Sequence, residues 1–140
     1  MSAEQMKATI RAAVTAWNAG DQDGYHAMYD SSLVHHGLRH EPLDEQGNRV
    51  LYERIATAFP GCQIVLEDVV AEDDRVALRL HIDGEHRGEF MGVEPTGRAI
   101  ELHGHLFMRF EDGRIVERWT IADLPGLMGQ LGRACTGVTP

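Results

Sequence analysis

The feature that most constrains this 140-residue chain is a change of apolar period near Cys62. Before that point apolar residues recur at helical spacing. After it they alternate, as in Val76, Leu78, Leu80 and Ile82 against Ala77, Arg79, His81 and Asp83. Helices first and strands afterwards predict an α+β layout in which the helices cover one face of a curled antiparallel sheet and enclose a pocket.

Local signals divide each half. Ser2-Ala3-Glu4-Gln5 reads as a capping box, followed by Met6, Ile10, Ala13, Val14 and Trp17 on one helical face. Asn18-Ala19-Gly20-Asp21 ends that helix, and Asp23 to Tyr29 predicts a second, short one. Leu33 to His36 reads as extended and Gly37 to Gly47 as a polar surface loop. A third helix carries Val50, Leu51, Ile55, Ala58 and Phe59 and stops at Pro60-Gly61. Turn signals at Asp73-Asp74, Asp83-Gly84, Pro95-Thr96-Gly97 and Glu111-Asp112-Gly113 predict about five strands in an antiparallel meander. Leu124 to Gly132 closes the chain with a short, one-sided apolar segment. No repeat or linker interrupts residues 1–140, so one domain is expected.

Charge narrows the function classes. The net charge is −9 with 13 Lys and Arg and no basic run, which repels phosphate backbones and argues against nucleic acid and anionic membrane as partners. No apolar stretch approaches the roughly 18 residues of a membrane span, and no leader pattern opens the chain. Cys62 and Cys135 lack metal-ligand spacing and read as reduced thiols. A cytoplasmic location is expected.

The ordered set of motifs is more specific than any one of them. It comprises Ala16-Trp17-Asn18-Ala19-Gly20-Asp21, Val34-His35-His36-Gly37, Gly84 to Gly92 with His86, Phe90 and Met91, Pro95-Thr96-Gly97-Arg98, Arg109 to Trp119, Asp123, and Gln130-Leu131-Gly132. In that order it resembles the SnoaL-like polyketide cyclase (ester cyclase) branch of the NTF2-like fold, over nearly the whole chain. The chain departs from the family at Gly84-Glu85-His86, where members often carry Gly-Thr-His, and at Leu80 and His81.

The resemblance implies an NTF2-like cone, a small hydrophobic polyketide-like substrate, and a cyclase that uses neither cofactor nor metal. It makes Asp123 the general acid/base for an intramolecular aldol closure. Strand geometry groups Ile115, Glu117, Trp119, Ile121 and Asp123 on one side, so a desolvated carboxylate with a raised pKa is expected there. His36, His86 and Tyr29 are the expected hydrogen-bond donors to the developing oxyanion. Trp119, Trp17, Phe90, Met91 and His105 are the expected substrate contacts, and pairing through the outer sheet face implies a homodimer.

Other readings stand beside these. Asp123 followed by Leu124-Pro125 is also a good N-cap. His35 is a weaker pocket candidate than His36, and Trp17 and Trp119 are residues more often found in a core than in a pocket. Arg79 and His81 are expected in solvent or at an interface. His103 and His105, as His-x-His with Glu111, partly resemble a cupin metal motif, but Glu111 lies too far along and falls in a turn. A binding domain without catalysis, or an epoxide-hydrolase-type enzyme drawing on Asp123 and Arg79, would fit the same fold.

Overall fold

The computed structural model describes residues 1–132. Helix α1 (Ala3–Asn18) starts at the predicted capping box: the Ser2 hydroxyl accepts from the Gln5 amide at 3.1 Å, and the Ser2 amide donates to the Gln5 side chain at 2.8 Å. Its buried face is Met6, Ile10, Ala13 and Trp17. Helix α2 (Gln22–His26) is shorter than predicted, because β1 (Tyr29–His36) begins where the helix was expected to continue. Helix α3 (Glu45–Ala58) is capped by Asp44, which accepts from the Gly47 amide at 2.7 Å.

Four strands follow: β2 (Gln63–Glu72), β3 (Arg75–Glu85), β4 (Ala99–Glu111) and β5 (Arg114–Ala122), then α4 (Leu124–Gln130). The sheet order is β1-β5-β4-β3-β2, and its two edges leave it curled but open. The α+β layout holds, with one correction: the sheet is mixed, because β1 pairs in parallel with β5. A strand's own alternation does not identify a partner some eighty residues away. Register shifts between Tyr29 and Val34, Leu66 and Asp68, and Arg109 and Phe110 add the local bends that curl the strands.

Two hairpin turns fall as predicted, with Asp73, Asp112 and Gly113 all at positive φ. The third signal, Asp83-Gly84, is not a turn. Strand β3 runs through it to Glu85, and Gly84 pairs with Ile100. The glycine answers a close approach instead, since a Cβ there would meet the Cys62 and Phe59 Cβ atoms at 3.0 and 3.1 Å. Residues 86–98 then form an irregular loop rather than a fifth meander strand. Cys62 is a buried free thiol; Cys135 lies outside the described residues. Among the described residues no helix is long and apolar enough to cross a membrane.

Candidate functional site

Strand register lays three rows of side chains across the concave face: Val76, Met108 and Arg118; Leu78, Leu106 and Thr120; Leu80, Gly104 and Ala122. Helices α1 and α3 stand over these rows. They do not fill the space, and a cavity of about 500 Å³ remains, walled mainly by Ile10, Val14, Leu51, Ile55, Leu66, Leu78, Leu80 and Leu102. Phe90 and Met91 line it from the 86–98 loop, and Leu38, Arg39 and Leu43 from the β1–α3 connection. This is the size and character of a small-molecule site: apolar walls with few convergent polar groups.

Arg39, Gln46, Arg54 and His103 are among the polar lining residues, and Arg118, Tyr25, Tyr52 and Thr120 are the ones that hydrogen bonds join into one cluster. Arg118 is buried, yet it has no carboxylate partner among the described residues. Its Nη1 donates to the hydroxyls of Tyr29 at 2.5 Å, Tyr52 at 2.6 Å and, more weakly, Tyr25 at 3.4 Å, and its Nε donates to Thr120 Oγ1 at 3.0 Å. Tyr25 and Tyr29 are themselves 2.9 Å apart. Burial holds both phenols well above their ordinary pKa, so they are protonated at neutral pH and supply no counter-charge.

The network continues into the fold. His35 contacts Asn48 Oδ1 at 2.9 Å through Nδ1 and Thr120 Oγ1 at 2.7 Å through Nε2. Burial, then the nearby Arg118 charge, lower the His35 pKa to about 3, so the ring is neutral. Oδ1 only accepts, which places the proton on Nδ1 and makes Thr120 the donor to Nε2. His26, packed among the rings of Tyr25, Tyr29 and Tyr52, is neutral for the same first reason, with its pKa lowered to about 4.

Several expected placements are corrected. His36 is on the outer face, stacked on Trp119 at 5.4 Å and bonded to Glu117 at 2.8 Å; His35, ranked below it, points inward. Trp119 lies outside as well, with Arg75 over its ring, and His105 is exposed on the same face. His86 is fully buried but does not reach the cavity; its Nδ1 accepts from the Thr96 amide at 3.1 Å, pinning the 86–98 loop. Trp17 is core, donating to the Cys62 carbonyl at 3.2 Å. Tyr29 does not line the cavity and joins its network through Arg118 and Tyr25. Asp123 is exposed rather than desolvated, and caps α4 by accepting from the Gly126 amide at 2.9 Å. Its chain neighbours Ala122 and Leu124 line the cavity, and Asp123 itself does not.

The β5 face assignment failed for a physical reason. Alternation sorts the strand into two sets without saying which is interior, and Trp119 and Ile121 are the more apolar pair. The inward set carries Arg118 and Thr120, tolerated because their polar atoms are bonded. One signal was available: all three tyrosines of the chain converge on Arg118. The outer face also gathers Glu67, His81 and His103, and His81, Asp83 and Glu101, into groups close enough to share an ion, while His105 belongs to neither.

Comparison with known proteins agrees with this architecture. Residues 7–131 match the profile of the SnoaL-like polyketide cyclase family. Aklanonic acid methyl ester cyclase AcmA from Streptomyces galilaeus is 38% identical over 69 residues, an alignment spanning 48% of each protein. Among solved structures, AclR from Streptomyces galilaeus, a candidate hydroxylase, is 35% identical with a TM-score of 0.87 over 94% of this chain and 98% of its own. IdmH from Streptomyces antibioticus, a candidate polyketide cyclase, is 34% identical with a TM-score of 0.79 over 91% and 99%.

Proposed function

The chain belongs to the SnoaL-like polyketide cyclase family, and on that premise we propose that it closes a ring in a small, hydrophobic, polyketide-like substrate held against the concave sheet face. The observation that carries this reading is the apolar cavity of about 500 Å³ with its convergent Arg118, Tyr25, Tyr52 and Thr120. The chemistry is acid/base and cofactor-independent. A carboxylate removes a proton alpha to one carbonyl, the enolate carbon attacks a second carbonyl of the same molecule, and the new alkoxide takes the proton back. The cavity contributes by folding the chain so that the reacting carbons meet.

Asp123 is the base in this proposal. Its support is the family's pattern and its place in the chain between two cavity-lining residues, Ala122 and Leu124. With Oδ1 engaged by the Gly126 amide, Oδ2 is the oxygen that would take the proton. His36 and His86 have no such support, because neither reaches the cavity. A homodimer paired through the outer face is part of the same reading, supported by the exposed Phe107 and Ile121 there. The buried Cys62 thiol suits a reducing cytoplasm.

Similarity to AclR over nearly the full chain favours a second reading, hydroxylation of a related substrate, which takes one oxygen atom from dioxygen and needs a two-electron reductant to release the other as water. Product mass separates the two. Incubation with aklanonic acid methyl ester should give an isomer of unchanged mass, and Asp123→Asn should lose that turnover while unfolding at a similar temperature. A product heavier by one oxygen atom would replace ring closure with hydroxylation. Binding without any product would leave a sequestering domain.

A further inference from the structure

Arg118 offers more than the proposed reaction uses. A guanidinium has five N–H donors. The single Nε–H goes to Thr120 and the Nη1 pair to the tyrosine hydroxyls, while Nη2 makes no hydrogen bond among the described residues. Nor is Nη2 a sealed orphan: the fully buried polar side-chain atoms without a partner are His26 Nδ1, Asn48 Nδ2 and His86 Nε2. Arg118 lines the cavity, so its two unused donors have the cavity to face. Tyr52 adds to this edge. Its hydroxyl accepts from Nη1 and makes no other hydrogen bond among the described residues, leaving its own proton to give, and Tyr52 lines the same cavity.

The electrostatics favour one kind of occupant. A buried cation without a counter-charge is costly, and three phenol oxygens and a hydroxyl recover only part of that cost. Among the described residues, the arginines that do have an ion pair sit on the outside: Arg49, Arg75, Arg79, Arg87 and Arg109. We propose that Arg118, with Tyr52 beside it, is an anion-recognition point on the cavity wall that takes an ionised oxygen of the substrate, a carboxylate or an acidic enol or phenol. Apart from Arg39, Gln46, Arg54 and His103, the cavity's remaining walls are apolar, so the ligand class is a flat hydrophobic body with one anionic oxygen at the buried Arg118 end. This deepens the cyclase reading by naming a substrate feature, but it also stands for a binding protein.

The site lies away from the proposed base. Arg118 and Asp123 are five residues apart along an extended strand, roughly 16 Å at about 3.3 Å per residue. Arg118 therefore holds a remote group and positions the substrate, while proton removal belongs to Asp123.

The test uses three probes of one shape on the intact protein: anthraquinone-2-carboxylate, its methyl ester and 2-hydroxyanthraquinone, titrated by fluorescence. The carboxylate should bind roughly ten- to hundredfold more tightly than the ester, the range for a hydrogen bond to a charged group. The phenol's affinity should rise as pH passes its own pKa, and a stronger response from one probe tells which anionic oxygen the site prefers. Arg118→Met should erase the preference and Arg118→Lys keep part of it; should the first fail to fold, the wild-type comparison and the second variant still decide. Equal binding of carboxylate and ester, or binding of none of the three, overturns the proposal. Because turnover is never read, ring closure and anion recognition can fail independently.

Discussion

The two faces of the sheet handle charge in opposite ways. Outside, the charged clusters are paired: Arg79 lies between Glu67 and Asp68, His81 against Glu67, and Arg109 and His36 on the two oxygens of Glu117. Such pairs are solvated and contribute little individually. Inside, one cation stands among neutral oxygens, and the two nearby histidines are held neutral. Paired charges on the convex face are what a surface needs to stay in water. A lone charge on the concave face is the arrangement that leaves something for a ligand to complete.

Titration breaks the comparison most strongly. His26 and His35 have folded pKa values of about 4 and about 3, below that of a free imidazole at about 6.5. Below about pH 6.5 the unfolded chain therefore binds protons that the folded chain refuses. Stability should fall with pH from there, by up to about 1.4 kcal/mol per pH unit for each ring, levelling as pH nears the folded values. Urea unfolding between pH 5 and 6.5 measures the slope, which His26→Phe should reduce. A slope unchanged by that variant would mean His26 titrates normally. Burial lowers the His81 pKa, but the Glu67 hydrogen bond and the Asp83, Glu101 and Glu67 charges together raise it above the free value, so His81 contributes the opposite dependence, lost as pH rises through its folded pKa.

The outer face gives the smaller energetic effect. Ile121 is 79% exposed, so Ile121→Lys should change monomer stability by no more than about 0.5 kcal/mol. Sedimentation should nevertheless shift from dimer to monomer, because Ile121, Phe107 and Val34 form the apolar part of the proposed contact. A wild-type protein that sediments as a monomer would remove the dimer from the account.

What could be read from the sequence was what local chemistry decides. The Ser2 capping box, the Asp73-Asp74 and Asp112-Gly113 hairpins and the apolar row on β3 depend on neighbours a few residues apart, and all appear as expected. The parallel partner of β1 depends on contacts some eighty residues away, and Gly84 serves a helix-to-strand contact that resembles a turn signal when read locally. The site was less legible than the fold. Phe90 and Met91 line the cavity, but Arg118, Thr120, His35 and Asn48 read as surface residues one at a time. Only their mutual hydrogen bonds, drawn from β1, α3 and β5, make their burial tolerable.

The central claim is that ligand binds on the concave face, and Gly104 offers the most direct way to test it. This glycine lies in the row between Leu80 and Ala122, and a Cβ there would meet nothing closer than the Ile121 carbonyl oxygen at 3.5 Å. Gly104→Leu should therefore fold and occupy the cavity. The measurement is the affinity of aklanonic acid methyl ester for wild type and for this variant, with unfolding temperature as the control. The account predicts a loss of at least about thirtyfold, the scale expected when about 2 kcal/mol or more of apolar contact is displaced. Unchanged affinity in a folded variant would contradict it and move the binding site out of the cavity.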